Sequence, residues 1–243
     1  MNWVTRLLQG LWGLYAWLCF ALACIFSLLV TLFVPGPERR ARLVTFASRS
    51  IFVLAAVRVT VRGIDNLPVD NCVVVANHAS YIDGVLLKAY LPARFGYVIK
   101  GEMRDIPVVH FLLRRSGSKF VERKNHSGSA RDARNIVKAA QDGESLGFFP
   151  EGTFRLEPGV GRFRLGAFMA ATKGEMPVVP VAISGTRAML PSRQFLPRPA
   201  RLTIDILPAI APGDVDYRDS KHLAEAARQR VLAALDEPDL LAT

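Results

Sequence analysis

The sequence has few cysteines, and their spacing gives no sign of a zinc site or a disulfide framework. Its 243 residues include three cysteines, Cys19, Cys24 and Cys72, and none of them belongs to a CxxC pair. Small secreted domains and zinc modules both depend on paired or closely spaced cysteines. The sequence therefore favours a reducing compartment. Its histidines and carboxylates are not spaced as a ligand set either, so no metal is expected.

Charge is absent from a long stretch near the N-terminus. No charged residue lies between Leu7 and Val34, and a helix over this stretch would be roughly 40 Å long, longer than the ~30 Å bilayer core. The apolar part of a signal peptide is shorter, usually about 7–15 residues, and ends at small residues. This run ends at Pro35-Gly36-Pro37, so we expect an uncleaved anchor. Hydropathy alone does not decide whether the anchor crosses the bilayer or dips into it.

Positive charge dominates the rest of the chain, whose formal net charge is +10. Arg6 precedes the apolar run, and Arg39, Arg40 and Arg42 follow it. The positive-inside tendency therefore predicts an inner-membrane protein whose C-terminal domain faces the cytoplasm. A basic face near a membrane attracts anionic lipid, which we expect as a partner. Nucleic acid is not expected, because the chain has an apolar anchor and no recognised nucleic-acid motif.

The pattern after the anchor predicts two regions. Apolar residues at helical spacing from Arg42 to Val57 indicate an amphipathic helix, which either lies in the membrane interface or packs on the globular domain. We therefore expect an N-terminal membrane-anchoring helix or helix pair in residues 1–57 and an α/β domain in residues 58–243.

Strand and helix candidates alternate through residues 58–243 and predict a mixed, largely parallel sheet flanked by helices. Binding sites in such sheets form where loops leave the C-terminal ends of the strands. The strand candidates are Arg58–Arg62, Cys72–Ala76, Phe95–Ile99, Phe120-Val121, Leu146–Phe149, Val178–Ile183 and Arg201–Leu207. The helix candidates are Gly84–Ala89, Val108–Arg114, Ser129–Gln141, Arg164–Thr172 and Lys221–Leu235.

The segment from Asn77 to Asp83 directly follows a buried strand candidate, which places His78 in the crevice above the sheet. Ser80 is predicted to cap a helix that begins just after it, with Asp83 at the third helical position, as in a capping box. This turn would bring the Asp83 carboxylate to one imidazole nitrogen and leave the other as a general base. A structural histidine beside a helix cap is the alternative.

Two later segments carry candidates for binding a phosphate or an oxyanion. Arg123 closes a short strand, with Lys100 upstream, and a guanidinium fork matches a phosphate; a solvated strand-end arginine is the alternative. Phe149–Arg155 forms a Pro- and Gly-containing turn whose backbone N–H groups would face a ligand, unless it is a plain turn. Pro180 inside the Val178–Ile183 candidate indicates an edge strand or a bulge.

In order and spacing, these segments resemble the glycerolipid acyltransferase family, most closely its lysophosphatidic acid acyltransferases. That family carries N-H-x4-D, G-x-x-F-[IV]-x-R, F-P-E-G-T and V-P-[VI] blocks, and this chain has all four in order from Asn77 to Ile183. The resemblance covers roughly Val57 to Leu207. Two positions depart from it: Glu122 stands where aspartate is common, and Phe154 separates Thr153 from Arg155, which leaves the role of Arg155 open.

The resemblance implies that His78 is the general base and Asp83 its partner, with Arg123 and Lys100 on the phosphate of the acceptor. The other substrate-binding candidates are Asn77, Ser80, Glu151, Gly152 and Thr153. The Val179-Pro180 block would support the acyl-donor side. Ser80 is not expected to act as a nucleophile, because its position fits a helix cap.

The implied reaction moves a fatty acyl group from acyl-CoA or acyl-carrier protein to the sn-2 hydroxyl of lysophosphatidic acid, giving phosphatidic acid. A thioester is already activated, so no cofactor or metal is expected beyond these co-substrates. Two alternatives stay open. One is the same chemistry on another lysolipid, such as a lyso-ornithine lipid. The other is a membrane lipid-binding protein without turnover.

Overall fold

Every strand candidate forms a strand in the computed structural model, which describes residues 2–122 and 126–242. The observed ends lie within one residue of the expected ones. The strands are β1 (Val59–Arg62), β2 (Val73–Ala76), β3 (Gly96–Lys100), β4 (Lys119–Val121), β5 (Leu146–Phe148), β6 (Val178–Ser184) and β7 (Leu202–Ile206).

The helix candidates are also present, and one short helix was not expected. The helices are α1 (Trp3–Phe33), α2 (Pro37–Leu54), α3 (Ile82–Tyr90), α4 (Pro107–Arg115), α5 (His126–Gln141), α6 (Gly166–Lys173), α7 (Thr186–Met189) and α8 (Ser220–Ala233). The unexpected helix is α7, which is too short to give a periodic pattern. α2 begins before the expected Arg42, because the fixed φ of Pro37 suits the first helical turn.

The seven strands form one sheet in the order β1-β7-β6-β2-β5-β3-β4. Neighbouring strands are parallel except for β6 and β7, which are antiparallel. The predicted fold class, a mixed and largely parallel sheet with flanking helices, is therefore confirmed. The central strands β2 and β5 are buried at every residue, as expected where helices cover both faces of a sheet.

Pro180 lies inside the sheet and not at its edge, since β6 has β2 on one side and β7 on the other. The edge alternative is therefore wrong. Val181 pairs with Ile206, but Val178 bridges Ile210, one residue out of that register. The segment after β7 therefore bulges opposite Pro180. The bulge accommodates a residue that has no N–H to donate.

Helices cover both faces of the sheet. On one face, α5, α6 and α8 contribute side chains such as Phe168 and Leu223 to a buried cluster. On the other face, α1, α2 and α3 contribute Ala16, Phe52 and Leu86. The N-terminal helices thus belong to the second core, and the domain boundary at residue 58 stays a prediction.

α1 and α2 form an antiparallel hairpin that lies along the α/β domain. Trp17 Nε1 donates to the carbonyl of Phe195 at 2.6 Å, near the start of the contact. Near the other end, the guanidinium of Arg115 donates twice to the carbonyl of Thr31, at 3.1 and 3.0 Å. α1 is therefore held against the domain over most of its length.

The opposite face of α1 is apolar and exposed. In the described residues α1 is the one helix long and apolar enough to cross a bilayer, a test that core helices and signal sequences also pass. Its exposed apolar residues recur at helical spacing along one side. They include Leu7, Leu11, Leu14, Leu18, Leu22, Ile25, Leu29, Leu32 and Phe33.

Candidate active site

Asn77 fastens the end of β2 to the neighbouring strand β6. Its side-chain NH₂ donates to the carbonyl of Ile183 at 3.0 Å, and its carbonyl oxygen accepts the Ile183 N–H at 2.7 Å. The residue is buried and both groups are used by the protein. Asn77 therefore positions the turn after β2, and its role in binding substrate stays a prediction.

His78 and Asp83 meet as expected. His78 Nδ1 lies 2.8 Å from Asp83 Oδ2, and their side chains are 15% and 0% exposed. The same oxygen accepts the backbone N–H groups of Ala79 at 2.7 Å and Ser80 at 2.8 Å. Three donors on one oxygen hold this buried carboxylate and fix the orientation of the imidazole. Nε2 is then left as the ring nitrogen that can take a proton.

The capping box at Ser80 forms only in part. Asp83 reaches back to the Ser80 N–H, but α3 begins after Tyr81, which makes no side-chain cap. The Ser80 hydroxyl instead donates to the carbonyl of Leu190 at 2.7 Å, and it is 3.4 Å from the N–H of Ile82. The local sequence predicted that the Ser80 hydroxyl would cap the helix, but it donates instead to a carbonyl 110 residues further along the chain. Fully buried, Ser80 ties the His78 turn to the end of α7.

Aromatic rings enclose the imidazole. The ring of Phe149 stacks on His78 with centroids 4.4 Å apart, and Phe154 meets it edge-on at 4.8 Å. Tyr81 in turn packs edge-on against Phe154 at 4.6 Å. Sequence reasoning noted Phe154 only as a departure from the family pattern. In the structure this residue is the aromatic link between His78 and Tyr81.

Glu151 holds the backbone of the turn at His78. Its Oε1 accepts the N–H of His78 at 2.9 Å, and its Oε2 accepts the N–H of Gly161 at 2.9 Å. Burial raises the pKa of this carboxyl, and the two backbone N–H groups oppose that shift by stabilising the charged form. The glutamate of the F-P-E-G-T block therefore joins two loops at the crevice.

Lys100 and Thr153 come together at the same edge of the sheet, where Lys100 Nζ donates to Thr153 Oγ1 at 3.3 Å. Gly152 allows the sharp turn before Thr153, because its φ of +81° lies in the left-handed region that favours glycine. An ammonium and a hydroxyl thus face the crevice near Glu151, as a phosphate site would require.

Arg123, the main candidate for the phosphate of the acceptor, lies outside the described residues. The strand before it, β4, runs parallel to β3, with Val121 opposite Lys100.

Arg104 is a further arginine in this region, and the sequence analysis did not select it. Its guanidinium donates to both carboxylate oxygens of Asp132, at 3.1 and 3.0 Å.

A buried arginine anchors the loop after Glu151. Arg228 of α8 donates to the carbonyls of Gly161 at 2.9 Å and Val160 at 3.1 Å, and it pairs with Asp239. Val160 also donates to the carbonyl of Pro238 at 3.0 Å. The C-terminal segment therefore holds the residues that position Glu151. Its role depends on contacts far apart in sequence, so no local pattern indicated it.

A second arginine extends this support. Arg187 of α7 pairs with Glu237 at 3.2 Å and donates to the carbonyl of Arg155 at 2.8 Å. Glu237 also accepts the N–H of Gly159 at 2.8 Å. The backbone of Arg155 thus anchors the loop, and the role of its side chain stays open.

A small apolar cavity lies between the hairpin and α3, and Tyr81 and Ile82 of its lining come from the segment between His78 and Asp83. Its volume is about 110 Å³. One wall is Tyr81, whose ring contacts Phe154 and through it His78. The lining residues are Ala16, Trp17, Phe20, Ile51, Phe52, Ala55, Val57, Tyr81, Ile82, Val85, Met189 and Pro197.

A histidine–carboxylate pair at the end of a central strand, next to an apolar cavity, suits acyl transfer to a hydroxyl. The sequence profile of the family described as Acyltransferase matches residues 58–184. This match covers more than half of the chain, so the chain belongs to the acyltransferase family.

Several named proteins are similar to this chain in sequence. A 1-acyl-sn-glycerol-3-phosphate acyltransferase of Chlamydomonas reinhardtii is 30% identical over 187 residues, which cover 76% of this chain and 54% of the relative. The enzyme of that name from Saccharomyces cerevisiae is 26% identical over 183 residues, covering 74% and 60%. The chain spans about half the length of several relatives that it matches.

A solved structure shares the fold. The crystal structure of the 1-acyl-sn-glycerophosphate (LPA) acyltransferase PlsC from Thermotoga maritima superposes with a TM-score of 0.79. The match covers 95% of both chains at 24% sequence identity. At this identity the likeness supports the fold, including the N-terminal helices, and the substrate has to be argued from the site.

Proposed function

We propose that this protein transfers a fatty acyl group from acyl-CoA or acyl-carrier protein to the sn-2 hydroxyl of lysophosphatidic acid, giving phosphatidic acid. The observation that carries the proposal is the fully buried Asp83 carboxylate, which holds Nδ1 of His78 at 2.8 Å. A lipid-binding protein without turnover has no need of an oriented imidazole. We choose lysophosphatidic acid as the acceptor because the named relatives are 1-acyl-sn-glycerol-3-phosphate acyltransferases.

The proton path follows from the orientation of the imidazole. Nδ1 is committed to Asp83, so Nε2 takes the proton of the acceptor hydroxyl as the oxygen attacks the thioester carbonyl carbon. The C–S bond then breaks, and the imidazolium returns the proton to the departing thiolate. Asp83 stabilises the imidazolium between these steps, and Phe149 and Phe154 keep the ring from turning.

The acceptor phosphate fits the edge where Lys100 and Thr153 meet. Lys100 offers a positive charge and Thr153 a hydroxyl, 3.3 Å apart. We assign the phosphate to these two groups together with Arg123, whose guanidinium would supply paired donors. Glu151 supports this site through the backbone of His78 and Gly161, and does not itself contact the phosphate.

The apolar cavity suits a short part of the donor's acyl chain, because its volume is only about 110 Å³. Its wall residue Tyr81 reaches His78 through Phe154, so a chain seated there would present its thioester near the imidazole. Trp17 and Phe20 of α1 form part of the lining. The N-terminal hairpin would then complete the acyl site as well as attach the enzyme to the membrane.

We infer that α1 lies in one leaflet with the catalytic domain on the cytoplasmic side. The contacts of α1 with the domain extend from Gly13, packed on Leu196, to Thr31, bonded to Arg115. This interval is ~27 Å long in a helix, close to the ~30 Å thickness of the bilayer core. A vertical α1 would place these two contacts at opposite membrane surfaces, whereas a flat α1 keeps both.

The test compares wild type with His78→Ala and Asp83→Asn in anionic vesicles, using acyl-CoA or acyl-carrier protein and a panel of lysolipids. Free thiol and lipid product are measured together. Both variants are expected to lose about 10²–10⁴ in rate, the usual contribution of a general base. His222→Ala is the matched control, because His222 pairs with Asp219 at 2.6 Å on the exposed start of α8.

The outcomes separate the alternatives. His78-dependent product with lysophosphatidic acid as the best acceptor supports the proposal. Product confined to another lysolipid, such as a lyso-ornithine lipid, keeps the mechanism and replaces the substrate. If folded wild type releases no thiol with any acceptor or donor, the lipid-binding alternative is favoured instead.

A further inference from the structure

A basic groove lies at the turn between α1 and α2, away from His78. Its volume is about 740 Å³, and it includes the start of β3 at Gly96 and the residue Gly117 just before β4. His78 follows the opposite, C-terminal end of the parallel strand β2. A five-residue strand such as β3 is ~16 Å long. The arginines that line the groove are Arg40, Arg42, Arg94, Arg114 and Arg115.

Positive charge exceeds negative charge among the described residues that line this groove. Two acidic residues line it, and one of them, Glu144, already pairs with Lys119 at 2.8 Å. The other, Glu38, sits in the first turn of α2, where a helix N-terminus favours a carboxylate. Within residues 2–122 and 126–242, none of the five arginines forms an ion pair with a carboxylate.

Other arginines of this chain are paired with carboxylates, so the groove is unusual within the molecule. Arg62, Arg187 and Arg230, for example, each pair with an Asp or Glu at 2.6 to 3.2 Å. Collecting several unpaired guanidinium groups around one concave surface costs free energy through like-charge repulsion. An anionic ligand in the groove would remove that cost.

Backbone carbonyls hold three of the arginines in place without cancelling their charge. Arg115 donates to Thr31, Arg94 to the carbonyls of Pro68 and Val69, and Arg40 to Val34 at 3.4 Å. The Nε of Arg40 is also buried without a hydrogen-bond partner. The groove is therefore a fixed, positively charged surface with donors left over.

The apolar end of α1 adjoins the groove and indicates the kind of anion. Leu29, Leu32 and Phe33 are 49%, 50% and 77% exposed, in the last turns before the hairpin. A free anion would not use these side chains, whereas a lipid would place its acyl chains against them and its headgroup in the groove. Guanidinium groups match a phosphate in two-point fashion.

We propose that this groove binds the phosphate headgroup of an anionic membrane phospholipid, at a site separate from the acceptor site. Such a site would fix the rotation of the hairpin in the membrane. It would thereby hold the crevice at a constant angle to the bilayer. The proposal does not depend on which lysolipid is acylated.

The test replaces Arg42 and Arg114, the two groove arginines whose side chains make no hydrogen bond to described residues, so that folding is not disturbed. Arg42→Gln/Arg114→Gln is compared with wild type for binding to phosphatidylcholine vesicles with and without phosphatidylglycerol. Each basic residue near an anionic surface strengthens vesicle binding by about fivefold, so the double variant should bind anionic vesicles roughly 30-fold more weakly than wild type. Arg201→Gln/Arg218→Gln, two exposed arginines away from the groove, is the control with the same change in charge.

A second variant separates a built site from diffuse attraction. Arg42→Lys/Arg114→Lys keeps the charge but removes the planar forks, so a phosphate site predicts binding weaker than wild type. Unchanged binding by the lysine variant, or equal losses in the control, would overturn the proposal. So would competition by inorganic phosphate at the same concentration as lipid phosphate, since that outcome indicates a free anion. Acyl transfer by wild type in neutral vesicles is measured separately and reports on the enzyme function alone.

Discussion

Helix α3 carries two charged groups that are shielded from solvent, the carboxylate of Asp83 and the ammonium of Lys88. Asp83 is fully buried, and three donors surround its Oδ2. The Nζ of Lys88 is buried and has no hydrogen-bond partner among the described residues, and burial lowers the pKa of this group to about 8. The Oδ1 atom of Asp83 has no partner among the described residues either, but three contacts on Oδ2 hold this carboxylate in place. No such contact holds the Lys88 ammonium, and burial opposes its charge.

We predict that Lys88→Met stabilises the protein at pH 7. The pKa of Lys88 falls from 10.5 in the unfolded chain to about 8 in the fold. The folded state therefore binds fewer protons between these values, and stability rises with pH across that window. Below pH 8 the full penalty is present, up to roughly 3 kcal/mol. Methionine removes it at similar volume.

Thermal unfolding in detergent at pH 7 and at pH 10 measures this effect. The variant should unfold at a higher temperature than wild type at pH 7, with a smaller gap at pH 10. Lys173→Met, at an exposed position on α6, serves as the control. A variant no more stable than wild type at pH 7 would show that Lys88 finds solvent or a partner in solution.

At the scale of elements, α8 and the C-terminal segment support a loop that begins far away in sequence. Arg228 connects to the carbonyls of Gly161 and Val160, and Gly161 donates to Glu151, which holds His78. The turn at His78 is thus fixed through a series of hydrogen bonds that starts on α8.

Arg228→Met should loosen this loop. The buried carbonyls of Gly161 and Val160 would lose their donor, at about 1–3 kcal/mol for each unsatisfied group. We expect faster hydrogen exchange at Val160 and a higher KM for the acceptor, with partial rescue by Arg228→Lys. Arg230→Met is the control, since Arg230 pairs with Asp216 and does not reach the loop. Equal exchange rates at Val160 in both variants would contradict the proposed support.

The docking of α1 depends on Gly13. A Cβ at this position would lie 2.6 Å from Leu196 Cγ and 2.7 Å from the Pro197 carbonyl oxygen, too close for any side chain. Gly13→Val should therefore push α1 off this loop, at about 1–3 kcal/mol, and disturb the apolar cavity. Acyl transfer should fall while membrane binding persists.

Gly10→Val is the matched control, because a Cβ at Gly10 would meet only Leu196 Cδ2, at 4.0 Å. Acyl-transfer activity and thermal unfolding temperature are measured for both variants under the same conditions. Equal activity of both variants would show that α1 does not need this close contact.

At the scale of the whole molecule, α1 combines a face packed on the domain with an apolar face that nothing in the described residues covers. Residues such as Ala16, Cys19 and Thr31 are buried, whereas the stripe from Leu7 to Phe33 is exposed. This division suits a helix that lies at a membrane surface, with the domain on one side and lipid on the other.

Labelling can test the leaflet orientation of α1. Single cysteines at Asn2 and at Arg39, each placed in a background where native cysteines are serine, are exposed to a membrane-impermeant maleimide in sealed vesicles. A flat α1 predicts that both positions react from the same side. Reaction from opposite sides would show that α1 spans the bilayer and that its contacts with the domain break in the membrane.

The sequence by itself determined the local elements and the meeting of His78 with Asp83. Strand ends agreed within one residue because apolar runs bounded by turn residues are local signals. His78 and Asp83 were found because a single turn brings them together. The family blocks added the loop around Glu151, although they gave no sign of which atoms it would hold.

Only the tertiary structure decided which distant groups meet. The Ser80 hydroxyl donates to the carbonyl of Leu190 in place of capping a helix. Pro180 lies in a central strand because the segment after β7 bulges opposite it. The support from Arg228 and the groove of unpaired arginines likewise join segments that are far apart in the chain. Such contacts follow from packing and register, which depend on the whole sheet at once, and no local pattern encodes them.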